Sequence, residues 1–235
     1  MKKKILIGTG LTVLVLTAGI FIYLLTGNYS ADESCKEYLQ STDTVDVSKV
    51  NEGYFFDGPG EDIAIIFYPG AKVEYTAYAR LMFKIAENGK DCFLIKMPFN
   101  MAFFGMNKAD DIIDNYEYDN YYIAGHSLGG AVACYYGINN PDNVKGIITL
   151  AAYSTKKIPS DMEYLFVHGS EDKVLNMDRY EKNKKNLPEN STEHIIEGGN
   201  HAGFANYGSQ KGDGKLNITN EEMQDLTVKY ITEQE

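Results

Sequence analysis

Tyr121-Tyr122-Ile123-Ala124-Gly125-His126-Ser127-Leu128-Gly129-Gly130 is an apolar run that breaks at a Gly-x-Ser-x-Gly pentapeptide and continues into a segment holding Ala131, Ala133 and Cys134. A strand that enters a sharp turn and leaves it as a helix has this form, with the serine hydroxyl exposed on the turn as a nucleophile elbow. The glycines have a physical reason, because side chains at Gly125 and Gly129 would collide with neighbouring backbone while the serine occupies a strained conformation. Small residues after the turn let the helix approach the sheet closely.

Outward from this stretch, short apolar runs alternate with helical patterns, the signature of a mainly parallel sheet flanked by helices. The expected strands are Tyr54 to Phe56, Ile63 to Tyr68, Phe93 to Met97, Tyr121 to Ala124, Val144 to Leu150, Tyr164 to His168 and His194 to Ile196. Helices are expected over residues 73–87, 107–116, 128–138, 177–186 and 220–232; the first places Tyr78, Leu81, Met82 and Ile85 on one face before the stop at Asn88-Gly89. Residues 27–52 read as a polar spacer ending in a first antiparallel strand or hairpin near Thr44 to Val47, and residues 53–235 as one domain.

A serine hydroxyl is a weak nucleophile near neutral pH, so it needs a histidine to take its proton and an acid to orient that histidine. Of the four histidines, His126 adjoins Ser127 but diverges from it, His168 ends a strand before any candidate acid, and His194 opens the last strand as a structural residue. His201 remains, in the loop Gly198-Gly199-Asn200-His201-Ala202-Gly203. The strand Tyr164 to His168 runs into Gly169-Ser170-Glu171-Asp172, which puts a carboxylate past a strand's carboxyl end, where open α/β sheets place their sites. Asp172 is the expected acid, 45 residues after Ser127 and 29 before His201, with Glu171 as its neighbouring alternative and Asp213 as a competitor if its loop folds back. The oxyanion hole needs two backbone N–H groups. Leu128, directly after the nucleophile, supplies one, and the loop Pro69-Gly70-Ala71-Lys72 the other. Proline has no N–H, so Ala71 is preferred, with Gly70 and Lys72 as alternatives.

Five motifs in order, Phe67-Tyr68-Pro69-Gly70-Ala71-Lys72-Val73-Glu74, Met97-Pro98-Phe99-Asn100-Met101-Ala102, Gly125 to Gly130, Leu150-Ala151-Ala152-Tyr153 and Gly199-Asn200-His201-Ala202-Gly203-Phe204, give the chain a recognisable pattern. It resembles the α/β-hydrolase superfamily, specifically the alpha/beta hydrolase 5 family, over nearly all of residues 54–232. The resemblance implies an α/β-hydrolase fold and a triad at Ser127, Asp172 and His201. Only ten residues, Ser154 to Glu163, separate Tyr153 from the next strand core, too few for a helical cap. An open cleft is therefore expected, with Phe99, Met101, Phe103 and Phe104 as an apolar wall for an acyl or alkyl group.

Lys2, Lys3 and Lys4 are the only charges before residue 27, and Ile5 to Thr26 is an uncharged run of 22 residues. At ~1.5 Å rise per residue it is long enough, as a helix, to cross a hydrocarbon core of roughly 30 Å. The expectation is a basic stub at residues 1–4, a signal-anchor helix at 5–26 with a cleaved signal peptide as its alternative, and, by the positive-inside rule, a domain outside the cytoplasm. That outer part carries 19 basic against 33 acidic residues, a net of −14, which argues against nucleic acid as a partner. Cys35, Cys92 and Cys134 match no metal-binding spacing and read as buried thiols, and neither metal nor organic cofactor is implied. The whole points to a membrane-anchored, extracytoplasmic serine hydrolase of small-molecule esters or thioesters. The rivals are an acyltransferase on the same triad and a hydrolase-like binding module that does not turn over.

Overall fold

The computed structural model describes Gly19 and residues 24–233. Strands β1 (Asp46–Val50), β2 (Gly53–Asp57), β3 (Ile63–Tyr68), β4 (Asp91–Ile95), β5 (Asn120–His126), β6 (Gly146–Leu150), β7 (Glu163–Gly169) and β8 (Thr192–Ile196) form one 8-stranded sheet in the order β1-β2-β4-β3-β5-β6-β7-β8. The β1–β2 hairpin joins β4 in antiparallel fashion, and every pairing from β4 to β8 is parallel. All six parallel strands therefore present their carboxyl ends on one edge.

Helices α1 (Ala79–Glu87), α2 (Lys108–Ile113), α3 (Leu128–Asn139), α4 (Met177–Asn183) and α5 (Asn220–Thr232) cover both faces. The inner strands are buried on both sides, and alternate residues enter two separate cores. Ile65, Phe67, Leu94 and Leu150 pack with Leu81, Met82 and Ile85 of α1 and with Met223, Val228 and Ile231 of α5. Ile66, Phe93, Ile123 and Ile147 pack with Ile112 of α2 and with Val132, Ala133 and Tyr136 of α3.

Several boundaries differ from expectation for local reasons. The fourth strand starts at Asp91 rather than Phe93, because the Asp91 carboxylate accepts hydrogen bonds from the Gly58 amide and the Tyr118 hydroxyl and so sits in a strand despite its charge. The helix expected from residue 73 begins as a 3₁₀ turn at Tyr75–Tyr78 and becomes α-helical at Ala79. The segment read as a spacer is packed onto the domain: Asp32 caps a 3₁₀ helix over Glu33–Leu39, Cys35 is buried, and Tyr38 meets Phe83 edge-on with ring centroids 5.6 Å apart. His194 stacks flat on Tyr230 at 3.9 Å, the structural role expected of it. Residues 151–162, between β6 and β7, carry neither helix nor strand.

Apart from Gly19 and residues 24–26, the run Ile5 to Thr26 lies outside the described residues. Among the described residues no helix is long and apolar enough to cross a membrane.

Helix α5 also floors the loop that carries His201. The Met223 side chain is fully buried, and its sulfur stands 2.3 Å from where a Cβ on Gly203 would lie. Met223→Ala should therefore lower unfolding free energy by about 2–5 kcal/mol, read from urea titration.

Candidate active site

Ser127 sits between β5 and α3 with φ 53° and ψ −123°, a conformation that costs an L-residue energy and is held by its surroundings. Its amide continues the sheet by donating to the Leu150 carbonyl at 2.9 Å. The neighbouring glycines are needed for space. A Cβ at Gly129 would lie 2.0 Å from the Tyr68 carbonyl oxygen, and one at Gly125 2.5 Å from the Gly129 carbonyl carbon. The elbow is thus pressed against the end of β3.

Asp172 follows β7 and His201 follows β8. The His201 Nδ1 hydrogen-bonds Asp172 Oδ2 at 2.8 Å, and both side chains are buried. The other carboxylate oxygen of Asp172 accepts from the Val174 and Leu175 amides, each at 2.8 Å. Burial alone would raise the Asp172 carboxyl, but the hydrogen bond and charge of His201, together with those two amides, hold it below the usual carboxylate value. His201 Nε2 is buried and makes no hydrogen bond among the described residues, so the nitrogen opposite the carboxylate is the one left for chemistry. Ser127 and His201 line one cleft of about 340 Å³ with Ala151, Tyr153, Val174 and Leu175.

The alternatives separate clearly. The Glu171 carboxylate takes no part in the pair. Asp213 does fold back, but onto backbone: its Oδ1 accepts from the His201 amide at 3.2 Å and the Gly214 amide at 2.7 Å, and its Oδ2 from the Ala202 amide at 2.9 Å. Asp213 thereby fixes the path of the histidine loop rather than the ring. In the loop after β3, the Gly70 amide donates to the Tyr78 hydroxyl at 3.1 Å and the Lys72 amide to the Asn100 carbonyl at 2.7 Å. Ala71 is the residue at 70–72 whose amide makes no hydrogen bond among the described residues, and the amide of Leu128, the first residue of α3, likewise makes none.

His126 plays a part that the sequence did not suggest. Its ring lies 4.6 Å from that of His201 and is fully buried, with Nδ1 2.7 Å from the Tyr78 hydroxyl. The Tyr78 hydroxyl thus bonds both the Gly70 amide and the His126 ring. Burial, reinforced by repulsion from His201, holds the His126 pKa well below its ordinary value. A tyrosine–histidine pair therefore props the β3 loop against the elbow from beneath.

The expected apolar wall is corrected. Phe99, Met101, Phe103 and Phe104 do not line the cleft beside Ser127. Phe99 and Asn100 have φ 55° and 53°, and this left-handed pair after Pro98 turns the chain so that the phenylalanines face outward. The apolar surface next to Ser127 comes instead from Tyr153, Val174 and Leu175. The sequence signal for the latter two was an apolar pair two and three residues after the acid. Among the described residues no group of three or more His, Cys, Asp or Glu is placed to hold a metal ion.

Two consequences are measurable. His126 is neutral when folded and titrates near 6.5 when unfolded, so the unfolded state gains protons first as pH falls. Unfolding free energy should therefore decline as pH drops below about 6.5, with a smaller decline in His126→Gln, as urea titrations across that range would record. Asp213→Asn replaces one acceptor oxygen with a donor facing backbone amides and should cost about 1–3 kcal/mol in the same assay.

Comparison with known proteins agrees with this architecture. Residues 64–225 match the alpha/beta hydrolase family. No curated protein sequence matches the chain. Among solved structures, a dienelactone hydrolase from Anabaena variabilis superposes with a TM-score of 0.58 at 12% identity, over 80% of this chain and 97% of that one. Est1E from Butyrivibrio proteoclasticus gives 0.56 at 13% identity, over 82% and 99%. A monoacylglycerol lipase from Paleococcus ferrophilus gives 0.55 at 13% identity, over 74% and 96%. At these identities the likeness is one of fold. With the match spanning most of the domain and the sheet order, elbow and carboxyl-edge loops described above, the chain belongs to the alpha/beta hydrolase family.

Proposed function

We propose that the protein is a serine hydrolase of carboxylic esters or thioesters that works through an acyl-serine intermediate. The observation that carries the reading is the buried Asp172–His201 hydrogen bond of 2.8 Å opening on the same cleft as Ser127 in its left-handed elbow. Family membership supports a hydrolase, and the site chemistry narrows the bond.

In this reading Ser127 Oγ attacks the substrate carbonyl carbon while His201 Nε2 takes the hydroxyl proton. Asp172 holds the ring by Nδ1 and stabilises the imidazolium that forms. The Leu128 and Ala71 amides donate to the oxyanion of the tetrahedral intermediate. Collapse breaks the bond to the alcohol or thiol, which leaves with the proton from His201. Water then attacks the acyl-serine, giving its proton to His201, and a second collapse frees the acid and returns the proton to Ser127. The low Asp172 pKa keeps the orienting group ionised throughout.

Ile5 to Thr26, behind three lysines and ahead of an acidic domain, anchors the chain in a membrane with residues 27–235 on the extracytoplasmic side. With no helix between β6 and β7, the substrate reaches Ser127 without passing a helical cap.

Ser127→Ala should abolish labelling by a fluorophosphonate probe and lower ester turnover by at least about 10³-fold, with the circular dichroism spectrum unchanged. Undiminished labelling would refute the nucleophile. Product analysis with an added alcohol acceptor separates the outcomes further: free acid marks a hydrolase, and a new ester marks an acyltransferase.

A further inference from the structure

The point where the anchor meets the domain is fixed, and it is fixed at the edge that carries the site. The Tyr29 amide donates to the Lys72 carbonyl at 2.7 Å and the Glu74 amide to the Tyr29 carbonyl at 2.9 Å, so the chain runs parallel to Val73 just beyond β3. Lys72 Nζ reaches the Thr26 carbonyl at 2.7 Å, and the Ala31 amide donates to the Glu74 carboxylate at 3.0 Å. On the other side the Asp32 amide donates to the Asn206 carbonyl at 2.8 Å, and the Tyr29 ring packs on Tyr207 at 5.3 Å. Residues 26–32 are thus strapped between the Ala71 loop and the loop after His201. Leu24 and Leu25, just before this strap, lie at the same edge.

The same edge carries the most exposed aromatic patch among the described residues. Phe99, Phe103 and Phe104 are 42%, 60% and 49% exposed, and the Phe104 ring contacts each of the other two at 5.8 Å. Leu24 and Leu25, the last apolar residues of the run, share a groove with Met97 and Phe99, and Leu25 is 55% exposed. Lys96 and Lys108 line that groove as well, Lys108 being ion-paired to Glu52. A cluster of three phenylalanines is costly to leave in water, and here it adjoins the base of a 22-residue uncharged run.

We propose that this patch seats in the lipid–water interface of the leaflet from which the anchor emerges, so that the carboxyl edge of the sheet, and the cleft with it, faces the bilayer. The inference rests on the anchored reading above and deepens it: the substrate is an acyl ester carried in that leaflet. Lys96, exposed in the groove, offsets part of the domain's net acidity at the contact. Aromatic rings at headgroup depth and lysines beside them are the residues that suit such an interface.

The chain has no tryptophan, so a single introduced one reports without background. The full chain carrying Phe103→Trp is reconstituted into phosphatidylcholine–phosphatidylglycerol vesicles with or without brominated acyl chains. Asn139→Trp, at the far end of α3 from Ser127, serves as the control. A ring buried roughly 5–10 Å into the headgroup–acyl boundary should lose about half or more of its emission to the brominated lipid, while the control loses almost none. Phe104→Trp repeats the measurement on a second ring. Equal, weak quenching at both sites in vesicles that retain the chain through a carbonate wash would overturn the orientation and leave the anchor standing. A blue-shifted but unquenched Trp at position 103 would overturn it too, by showing that protein covers the patch. Release of the chain by carbonate would instead overturn the anchored reading, and the orientation with it.

Discussion

The contact on which the site depends is the one between α3 and the end of β3. Ser127 reverses the chain in a left-handed conformation, and the first turn of the helix behind it is pressed so close to the Tyr68 carbonyl that only a glycine fits at position 129. Strain of this kind persists only when neighbours over-determine it. Here they do: the Ser127 amide is tied to β6 through Leu150, Gly125 admits the helix from below, and the Tyr78–His126 pair sets the height of the facing loop. The placement of Ser127 relative to the loop after β3 is thereby an outcome of helix–sheet packing.

Strain is concentrated on one edge. Among the described residues, the non-glycine residues with positive φ are Lys72, Phe99, Asn100, Ser127 and Ala151, and all five lie just beyond the carboxyl ends of parallel strands. Each turns a chain that leaves the sheet, so the loops that must converge on a substrate are those that pay in backbone conformation. The buried polar groups follow the same geography. Asp172, His201 and His126 are held by amides, a hydroxyl and one another, and Asp213 gathers the amides of the histidine loop from outside. The first three of these groups are held with little exposure to water.

Much of the fold was legible because a parallel sheet buried on both faces writes its strands as apolar runs and its helices as amphipathic intervals. Ile63–Tyr68 and the helix at Asn220–Thr232 fall where periodicity places them. Asp91 was missed as a strand residue, since its partners Gly58 and Tyr118 are 33 and 27 residues away in sequence. The helix at Glu33–Leu39 lacked a helical period because 3₁₀ geometry does not produce one. The phenylalanines after Pro98 were read as a wall of the cleft because apolar residues near a site suggest a pocket; two consecutive left-handed residues turned them the other way, and no hydropathy pattern encodes that turn.

The sequence alone determined the order of strand, turn and helix, the choice of Ser127 on the elbow, and the shortlist of His201 with Asp172, Glu171 or Asp213, because these depend on local conformation and chain order. Only the tertiary structure shows that Asp172 meets the His201 ring while Asp213 meets backbone, since that depends on how the loops after β7 and β8 cross. It also decided that His126 is a buried neutral support beneath His201, and that the strap at residues 26–32 lies along the carboxyl edge. Those are contacts between segments tens to nearly two hundred residues apart, and their geometry is fixed by packing across the sheet, which no local pattern carries.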